Sequence, residues 1–219
     1  MLSLIPTPIG NLEDITLRAI NLLRSVDLLL VEDTRVTGKL LHHLQIEKRM
    51  TPFHAHNEHQ KVSVIIEELL AGKHIGMVTD AGTPGISDPG FLLVRECVVN
   101  DITVECLPGA TAFVPALAVS GLPTDEFFFV GFLPRKKGRK TKFEQIEKIN
   151  ATVIIYESPY RLLKTLTDIQ IYLGKRQLSV SRELSKKFEE TVRGTPAQLI
   201  THFTENPPKG EFVICIGAV

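Results

Sequence analysis

The residues that could do chemistry gather in short glycine- and proline-rich stretches. The densest, "DAGTPGISDPG" (80–90), holds three glycines, two prolines and two aspartates in eleven residues, directly behind the apolar run "HIGMV". Glycine reaches positive φ and lets backbone approach backbone or ligand closely. Proline fixes φ and stiffens a loop. A long turn would account for one such stretch, but "PTPIGN" (6–11) and "PGATA" (108–112) also follow predicted strands. Open α/β sheets bind ligands at the carboxyl ends of their strands. Three such loops on one sheet edge would offer backbone N–H and C=O groups, few charges and close approach. That cradle suits a neutral or zwitterionic ligand better than a triphosphate. No G-x-G-x-x-G follows a predicted strand and no G-x-x-x-x-G-K-[ST] occurs, so the dinucleotide fingerprint and the P-loop are both missing.

Two further clusters invite chemistry. "HAHNEH" brings His54, His56 and His59 together, and imidazole is a common metal ligand. Structural zinc takes four ligands, usually with cysteine, and no cysteine lies nearby. A satisfied or substrate-binding histidine pair is the preferred reading, and no metal is expected. "RKKGRKTK" (135–142) carries six basic residues in eight. It reads equally as a solvated loop and as a set of phosphate contacts. The interleaved aromatics of a stand-alone RNA module are not obvious in the sequence.

The elements that must position these groups alternate between apolar runs and helical periodicity. Strands are predicted at 2–6, 26–32, 74–79 and 102–107, then at 126–132, 152–157, 178–183 and 211–217. Val62, Ile65, Ile66, Leu69 and Leu70 share a helical face within 59–71, and Leu162, Leu163, Leu166, Ile169 and Tyr172 do so within 159–173. This alternation means α/β layers, and strands apolar without alternation are covered on both faces. A break at 121–125, "GLPTD", divides a 1–121 domain from a 122–219 domain. The small-residue stretch "GATAFVPALAVSG" before it reads as a buried helix.

Composition bounds the function. Lys+Arg and Asp+Glu are both 25, so no global basic field draws the chain onto nucleic acid, and any RNA contact must be local. Three cysteines without a C-x-x-C pair fit a reducing compartment. The N-terminus lacks a signal-peptide pattern, and no apolar run is long enough for a membrane span. A cytoplasmic protein is expected.

Taken together, "PTPIGNLEDIT", "EDTRVTGKLL", "FHAHNE", "VTDAGTPGISDPG", "LPGATAFVPALAVSGLP", "YESPYRLLKTL" and "RELSKKFEETVRGT" resemble, in order and over nearly the whole chain, the small-subunit rRNA (cytidine-2′-O)-methyltransferase I family. That family falls in the tetrapyrrole-methylase class of S-adenosylmethionine enzymes. The resemblance implies two α/β domains with a cleft between them and S-adenosylmethionine as cofactor. It implies 2′-O-methylation of a cytidine ribose in the decoding region of 16S rRNA, with the small ribosomal subunit as partner, and a homodimer.

Carried over by position, Pro8 lines the cofactor pocket. Asp80, Ala81, Gly82, Thr83, Ser87 and Asp88 face the methionine part, and Pro108, Gly109 and Ala110 add main-chain contacts. Phe132, Leu133, Tyr156, Glu157, Leu184 and Pro196 fall where adenosine contacts are expected. The acceptor hydroxyl needs a base, or a cation for the developing alkoxide. The candidates are Glu32, Asp33 and Arg35; His54, His56, Asn57 and Glu58; and Glu183 with Lys186. Asp33, Arg35, His54 and Glu58 are favoured as the substrate-side residues. The family commonly continues past the strand matching "EFVICIGAV" into a small helical region, and this sequence ends at Val219. The alternatives are a tetrapyrrole C-methyltransferase of the same class and a non-catalytic module that binds the cofactor or the ribosome.

Overall fold

The computed structural model describes residues 1–218. Its contacts divide the chain into two units, Met1–Thr111 and the residues from Ala112 onward.

In the first unit, β1 (Leu2–Leu4), β2 (Leu28–Val31), β3 (Met50–Pro52), β4 (Ile75–Met77) and β5 (Val104–Cys106) form one parallel sheet. Its order is β3-β2-β4-β1-β5. The connections carry α1 (Leu17–Ser25), α2 (Thr34–His43), α3 (Glu58–Leu70) and α4 (Phe91–Val99). Strand β2 shows why a strand of this sheet can be apolar throughout, because successive side chains point to opposite faces. Leu28 and Leu30 join a cluster with Val62, Ile65 and Leu69 of α3 and Leu93 of α4. Leu29 and Val31 join another with Ala19 and Leu23 of α1 and Leu41 of α2. Both faces are covered, so the polar alternation of a half-exposed strand is absent. Side-chain caps start two of the helices: Thr16 accepts from the Ala19 N–H and Asp33 from the Arg35 N–H.

In the second unit, β6 (Phe127–Phe132), β7 (Thr152–Glu157), β8 (Leu178–Arg182), β9 (Glu190–Gly194) and β10 (Phe212–Ile216) form a mixed sheet, ordered β6-β7-β10-β8-β9. Only β6 and β7 pair in parallel. Phe143 and Ile146 of α6 (Arg139–Glu147), Leu162, Leu166 and Ile169 of α7 (Leu162–Leu173), and Leu199 and Phe203 of α8 (Pro196–Glu205) share one core with this sheet. Helix α8 starts with a capping box between Thr195 and Gln198 and with Pro196 in its first turn.

The structure departs from the sequence reading in several places. Leu70, expected on the apolar face of 59–71, is 60% exposed at the end of α3, and the stretch read as a buried helix is short, with Val114 and Val119 exposed. Strands β3 and β9 have no counterpart among the predicted runs. Both are sheet edges with no buried residue, β3 only three residues long and β9 mostly polar, and an edge strand needs no apolar run to be held by its one neighbour. The division between the units precedes the expected break at 121–125. Helix α5 (Phe113–Ala118) packs on β7 and β10, with Ala116 and Leu117 buried, so it belongs to the second unit. Among the described residues, no helix is long and apolar enough to cross a membrane.

Candidate active site

All five strands of the first unit run the same way, so the segments behind them leave a single edge. Across the sheet these are 53–58 behind β3, 32–35 behind β2, 80–90 behind β4, 5–11 behind β1 and 107–112 behind β5. "HAHNE", "EDTR" and the three glycine- and proline-rich stretches thus line one edge. The chain leaves β1 and β2 for α1 and α2 on one face, and leaves β4, which lies between them, for α4 on the other. The 80–90 loop therefore emerges at the topological switch point, where open α/β sheets bind ligands. Every first-unit residue named above for the cofactor or the substrate belongs to this edge.

The loop's composition has a local cause. Gly82, Gly85, Ser87 and Gly90 all adopt positive φ, between 63° and 129°, which a side chain with Cβ tolerates poorly. The neighbouring loops are sewn to it. Thr7 and Gly82 exchange two backbone hydrogen bonds of 2.9 Å, and the Thr83 hydroxyl donates to the Ala110 carbonyl at 3.0 Å. A Cβ at Gly109 would lie 2.5 Å from Pro6 Cβ, so glycine alone permits that approach.

The "EDTR" segment is tied to the same loop. The Asp33 N–H donates to Asp80 Oδ1 at 3.1 Å, and the Asp80 N–H donates to Glu32 Oε2 at 3.4 Å. The Asp33 carboxylate takes the Arg35 guanidinium through Nε and Nη2 and also accepts the Arg35 N–H. Arg35 holds that carboxyl down at about 2, an ionised acceptor throughout the physiological range. Burial raises Glu32 and Asp80 above the usual carboxylate values. Burial, with the charges of Glu32 and Asp80 beside it, pushes Asp88 up to about 7.

In "HAHNE", Asn57 holds His54. Its Oδ1 accepts the His54 N–H at 2.9 Å and its Nδ2 lies 3.1 Å from Nε2. His54 Nδ1 is buried and has no hydrogen-bond partner among the described residues. The exposed His56 ring stands edge-on to it, with centroids 6.0 Å apart. Glu58 differs from its neighbours. It is only 7% exposed, and its Oε1 accepts the N–H groups of Gly90 and Leu92 at 3.2 and 3.1 Å. It anchors the end of the 80–90 loop and the start of α4, which makes it part of the support of the edge rather than an exposed acid or base.

In the second unit, Phe132, Leu133, Tyr156, Glu157 and Leu184 gather at the ends of β6, β7 and β8. Phe132 pairs with Tyr156, and Phe212 pairs with both Glu157 and Arg182. The Phe132 and Tyr156 rings stand 5.6 Å apart, while Leu133 and Leu184 are buried. Pro196 is not brought to this group. Strand β9 reverses direction, Gly194 pairs with Leu178 at the start of β8, and Pro196 begins α8 at the opposite end of the sheet.

The Glu157 side chain is fully engaged: Oε1 accepts from the Ser158 N–H and Arg161 Nε, and Oε2 from the Thr165 hydroxyl. Thr165 accepts from Arg139 Nη2, and Arg139 Nε meets Asp168 at 2.7 Å. Sequence reasoning missed this network. Its only signal was the i, i+4 spacing of Glu157 and Arg161. Arg139 is thereby withdrawn from the basic run, while Arg135, Lys136, Lys137 and Lys140 remain exposed.

Comparison with known proteins bears on these edges. Residues 1–200 match the family of Tetrapyrrole (Corrin/Porphyrin) Methylases. The chain is 50% identical over 218 residues to Ribosomal RNA small subunit methyltransferase I of Synechocystis sp., covering 99% of this chain and 78% of that one. It is 44% identical to the protein of the same name from Thermotoga maritima, covering 98% and 97% of the two. This chain belongs to the ribosomal RNA small subunit methyltransferase I family. Among solved structures, a diphthine synthase is similar at a TM-score of 0.78 and 12% identity, over 99% of this chain and 89% of that one. A Thermus thermophilus uroporphyrin-III C-methyltransferase complexed with S-adenyl homocysteine is similar at a TM-score of 0.65 and 16% identity, over 99% and 96%. At these identities the solved structures speak for the fold.

A methyltransferase of this family uses S-adenosylmethionine, and the first unit's edge has the chemistry to hold it. Glu32, Asp80 and Asp88 set a negative field there, in which a cation or zwitterion is favoured and a polyphosphate repelled. The glycine-rich backbone of 80–90 and 108–110 supplies hydrogen-bonding groups at close range. When bound, the cofactor supplies an electrophilic methyl group on a positively charged sulfur.

Proposed function

We propose that this protein methylates small-subunit ribosomal RNA with S-adenosylmethionine, and that the acceptor is the 2′-hydroxyl of a cytidine in the decoding region. The observation that carries the reading is the single parallel-sheet edge of the first unit. On it the carboxylates of Glu32, Asp80 and Asp88 stand beside the Asp33–Arg35 pair and His54. We assign the 5–11, 80–90 and 107–112 segments to the methionine part of the cofactor. The second unit's Phe132, Leu133, Tyr156 and Leu184 are assigned to adenosine on the family resemblance. The reading takes the cytoplasm as compartment and a homodimer as form, both from that resemblance.

Methyl transfer is an in-line displacement, and the protein's main contribution is to hold the two reactants in line. A ribose hydroxyl is a weak nucleophile until a base takes its proton or a cation stabilises the alkoxide. His54, whose buried Nδ1 has no hydrogen-bond partner among the described residues, and Arg35, whose guanidinium is held by Asp33, are the groups assigned to that task. Glu58 is assigned a positioning role through the start of α4.

The test is transfer of labelled methyl from S-adenosylmethionine to small subunits that lack the modification, with free rRNA and a precorrin run alongside and the labelled nucleotide mapped. Label on one cytidine ribose is the expected result. Label on the precorrin alone, or cofactor binding without transfer to any RNA, refutes the reading.

A further inference from the structure

The second unit's edge behind β6, β7 and β8 also carries exposed side chains beyond the four assigned to adenosine. Strands β6 and β7 are parallel, and β8 runs the same way as β7 because each is antiparallel to β10. The loops behind β6, β7 and β8 therefore leave one edge of the sheet. Glu157 and Arg182 flank Phe212 on its two sides, two strand spacings or roughly 10 Å apart.

On these loops stand two aromatic rings with little protein around them. Tyr160, behind β7, is 96% exposed, and Phe188, behind β8, is 65% exposed. Lys187 Nζ lies 5.7 Å from the centre of the Phe188 ring. Behind β6 come Arg135, Lys136 and Lys137, all exposed. These three and Lys187 make no ion pair among the described residues, whereas Lys140 pairs with Glu144 and Lys186 with Glu183 and Glu211. Glu144, Glu183 and Glu211 thus have cationic partners, and Glu189 accepts the Ser185 N–H at 2.6 Å, while Arg135, Lys136, Lys137 and Lys187 have no acidic partner among the described residues.

The loops are also braced. The Glu157 network ties 133–139 to 157–168 through Arg139 and Arg161, whose Nη1 donates to the Leu133 carbonyl at 3.0 Å. Glu183 and Ser185 hold positive φ in the third loop, and a Cβ at Gly210 would overlap the Glu183 carboxyl. Exposed apolar rings on a fixed frame, interleaved with unpaired cations, are what a single-stranded nucleic acid binds.

We propose that this edge of the second unit binds a single-stranded segment of the RNA substrate, with Tyr160 and Phe188 stacking on bases and Arg135, Lys136, Lys137 and Lys187 meeting phosphates. The assignment rests on the rRNA methyltransferase reading above. It names a surface that the basic run alone left undecided, because the aromatics come from segments far from that run in sequence.

The experiment measures binding of a fluorescent single-stranded oligoribonucleotide across a salt series, for the full chain and for variants, with S-adenosylmethionine affinity and methyl transfer to small subunits read in parallel. Tyr160→Ala with Phe188→Ala should weaken RNA binding about 30-fold or more, the loss expected when stacking on two bases is removed. Tyr160→Phe should retain affinity, since it keeps the stacking face. Replacing Arg135, Lys136 and Lys137 with Ala should flatten the salt dependence, by about 0.7 in log–log slope for each lost phosphate contact on a single strand. Cofactor affinity should stay unchanged in all of them, which shows that the variants are folded.

Unchanged RNA affinity and salt slope in both variants, with the parent still methylating subunits, overturns the proposal and leaves the methyltransferase reading standing. Loss of subunit binding with oligonucleotide affinity intact overturns it too, in favour of a ribosomal-protein contact. A parent that binds the cofactor but neither binds nor methylates RNA overturns both.

Discussion

One carboxylate oxygen of Glu58, the first residue of α3, accepts the backbone N–H groups of both Gly90 and Leu92, more than thirty residues further on. This junction pins the end of the 80–90 loop to the helix behind β3. Glu58→Ala leaves two N–H groups without their acceptor, at about 1–3 kcal/mol for each that stays buried. Glu58→Gln keeps an acceptor oxygen. Thermal unfolding should show a lower midpoint for the alanine variant and a smaller loss for glutamine, with cofactor affinity falling in the same order. Equal behaviour of the two variants would remove Glu58 from this role.

Asp88 gives the cofactor edge a pH dependence. Its carboxyl is pushed up from 3.8 to about 7 by burial and by the charges of Glu32 and Asp80. Between those two values the folded state holds a proton that the unfolded chain releases, so this group's stabilising contribution is present below about pH 4 and is lost as pH rises through about 7. Ionisation near 7 also adds a negative charge beside the site proposed for the cofactor's cation. S-adenosylmethionine affinity should rise between pH 6 and 8, and Asp88→Asn should flatten the rise. The comparison with Asn subtracts the titration of the cofactor's own amino group, which falls in the same range. Calorimetric titration at several pH values reads this, and parallel curves for the two proteins would contradict it.

Gly109 sits where a Cβ would lie 2.5 Å from Pro6 Cβ, and the proline ring cannot swing away as a flexible side chain can. Gly109→Ala must therefore push the 107–112 segment off the 5–11 segment. Overpacking of this kind costs about 1–3 kcal/mol. Cofactor affinity should fall about tenfold or more, with a smaller change in unfolding midpoint because the residue is exposed. Gly38, whose Cβ would meet nothing within 4 Å, is the control at which alanine should be tolerated.

Glu157 is wholly buried and ion-paired to Arg161, whose side chain is 22% exposed. Removing one partner of such a pair leaves a charge without compensation and costs about 3–5 kcal/mol. Glu157→Ala should lower the unfolding midpoint by several degrees and loosen the loops behind β6 and β7. Native-state hydrogen exchange should show the loss of protection over 133–139 and 158–165.

Asp33→Asn keeps a side-chain acceptor for the α2 cap and weakens the grip on Arg35. Turnover should fall about a hundredfold, as for loss of a positioned proton-transfer or alkoxide-stabilising group, with cofactor affinity nearly unchanged. A loss of cofactor binding that matches the loss of turnover would move this pair from the substrate side to the cofactor side.

Much of this protein was legible in the sequence alone. Chain-local signals do not depend on what lies across the fold: the unbroken apolar runs of doubly covered strands, the helical face of Val62, Ile65, Ile66 and Leu69, and the glycines that positive φ demands at 82, 85 and 90. The ordered motifs carried the family as well. The edge strands Met50–Pro52 and Glu190–Gly194 were not legible, because their register comes from a neighbouring strand and neither makes an apolar run: the first is three residues long and the second mostly polar. The fate of Glu58, Glu157 and Arg139 was also a tertiary matter. A carboxylate or guanidinium reads the same in a sequence whether it faces solvent or is closed into a network, and packing alone made these three internal. Packing likewise sent Pro196 to the far end of its sheet and brought Tyr160 and Phe188 to the same edge as the basic run, since strand direction, not distance along the chain, decides which loops share an edge.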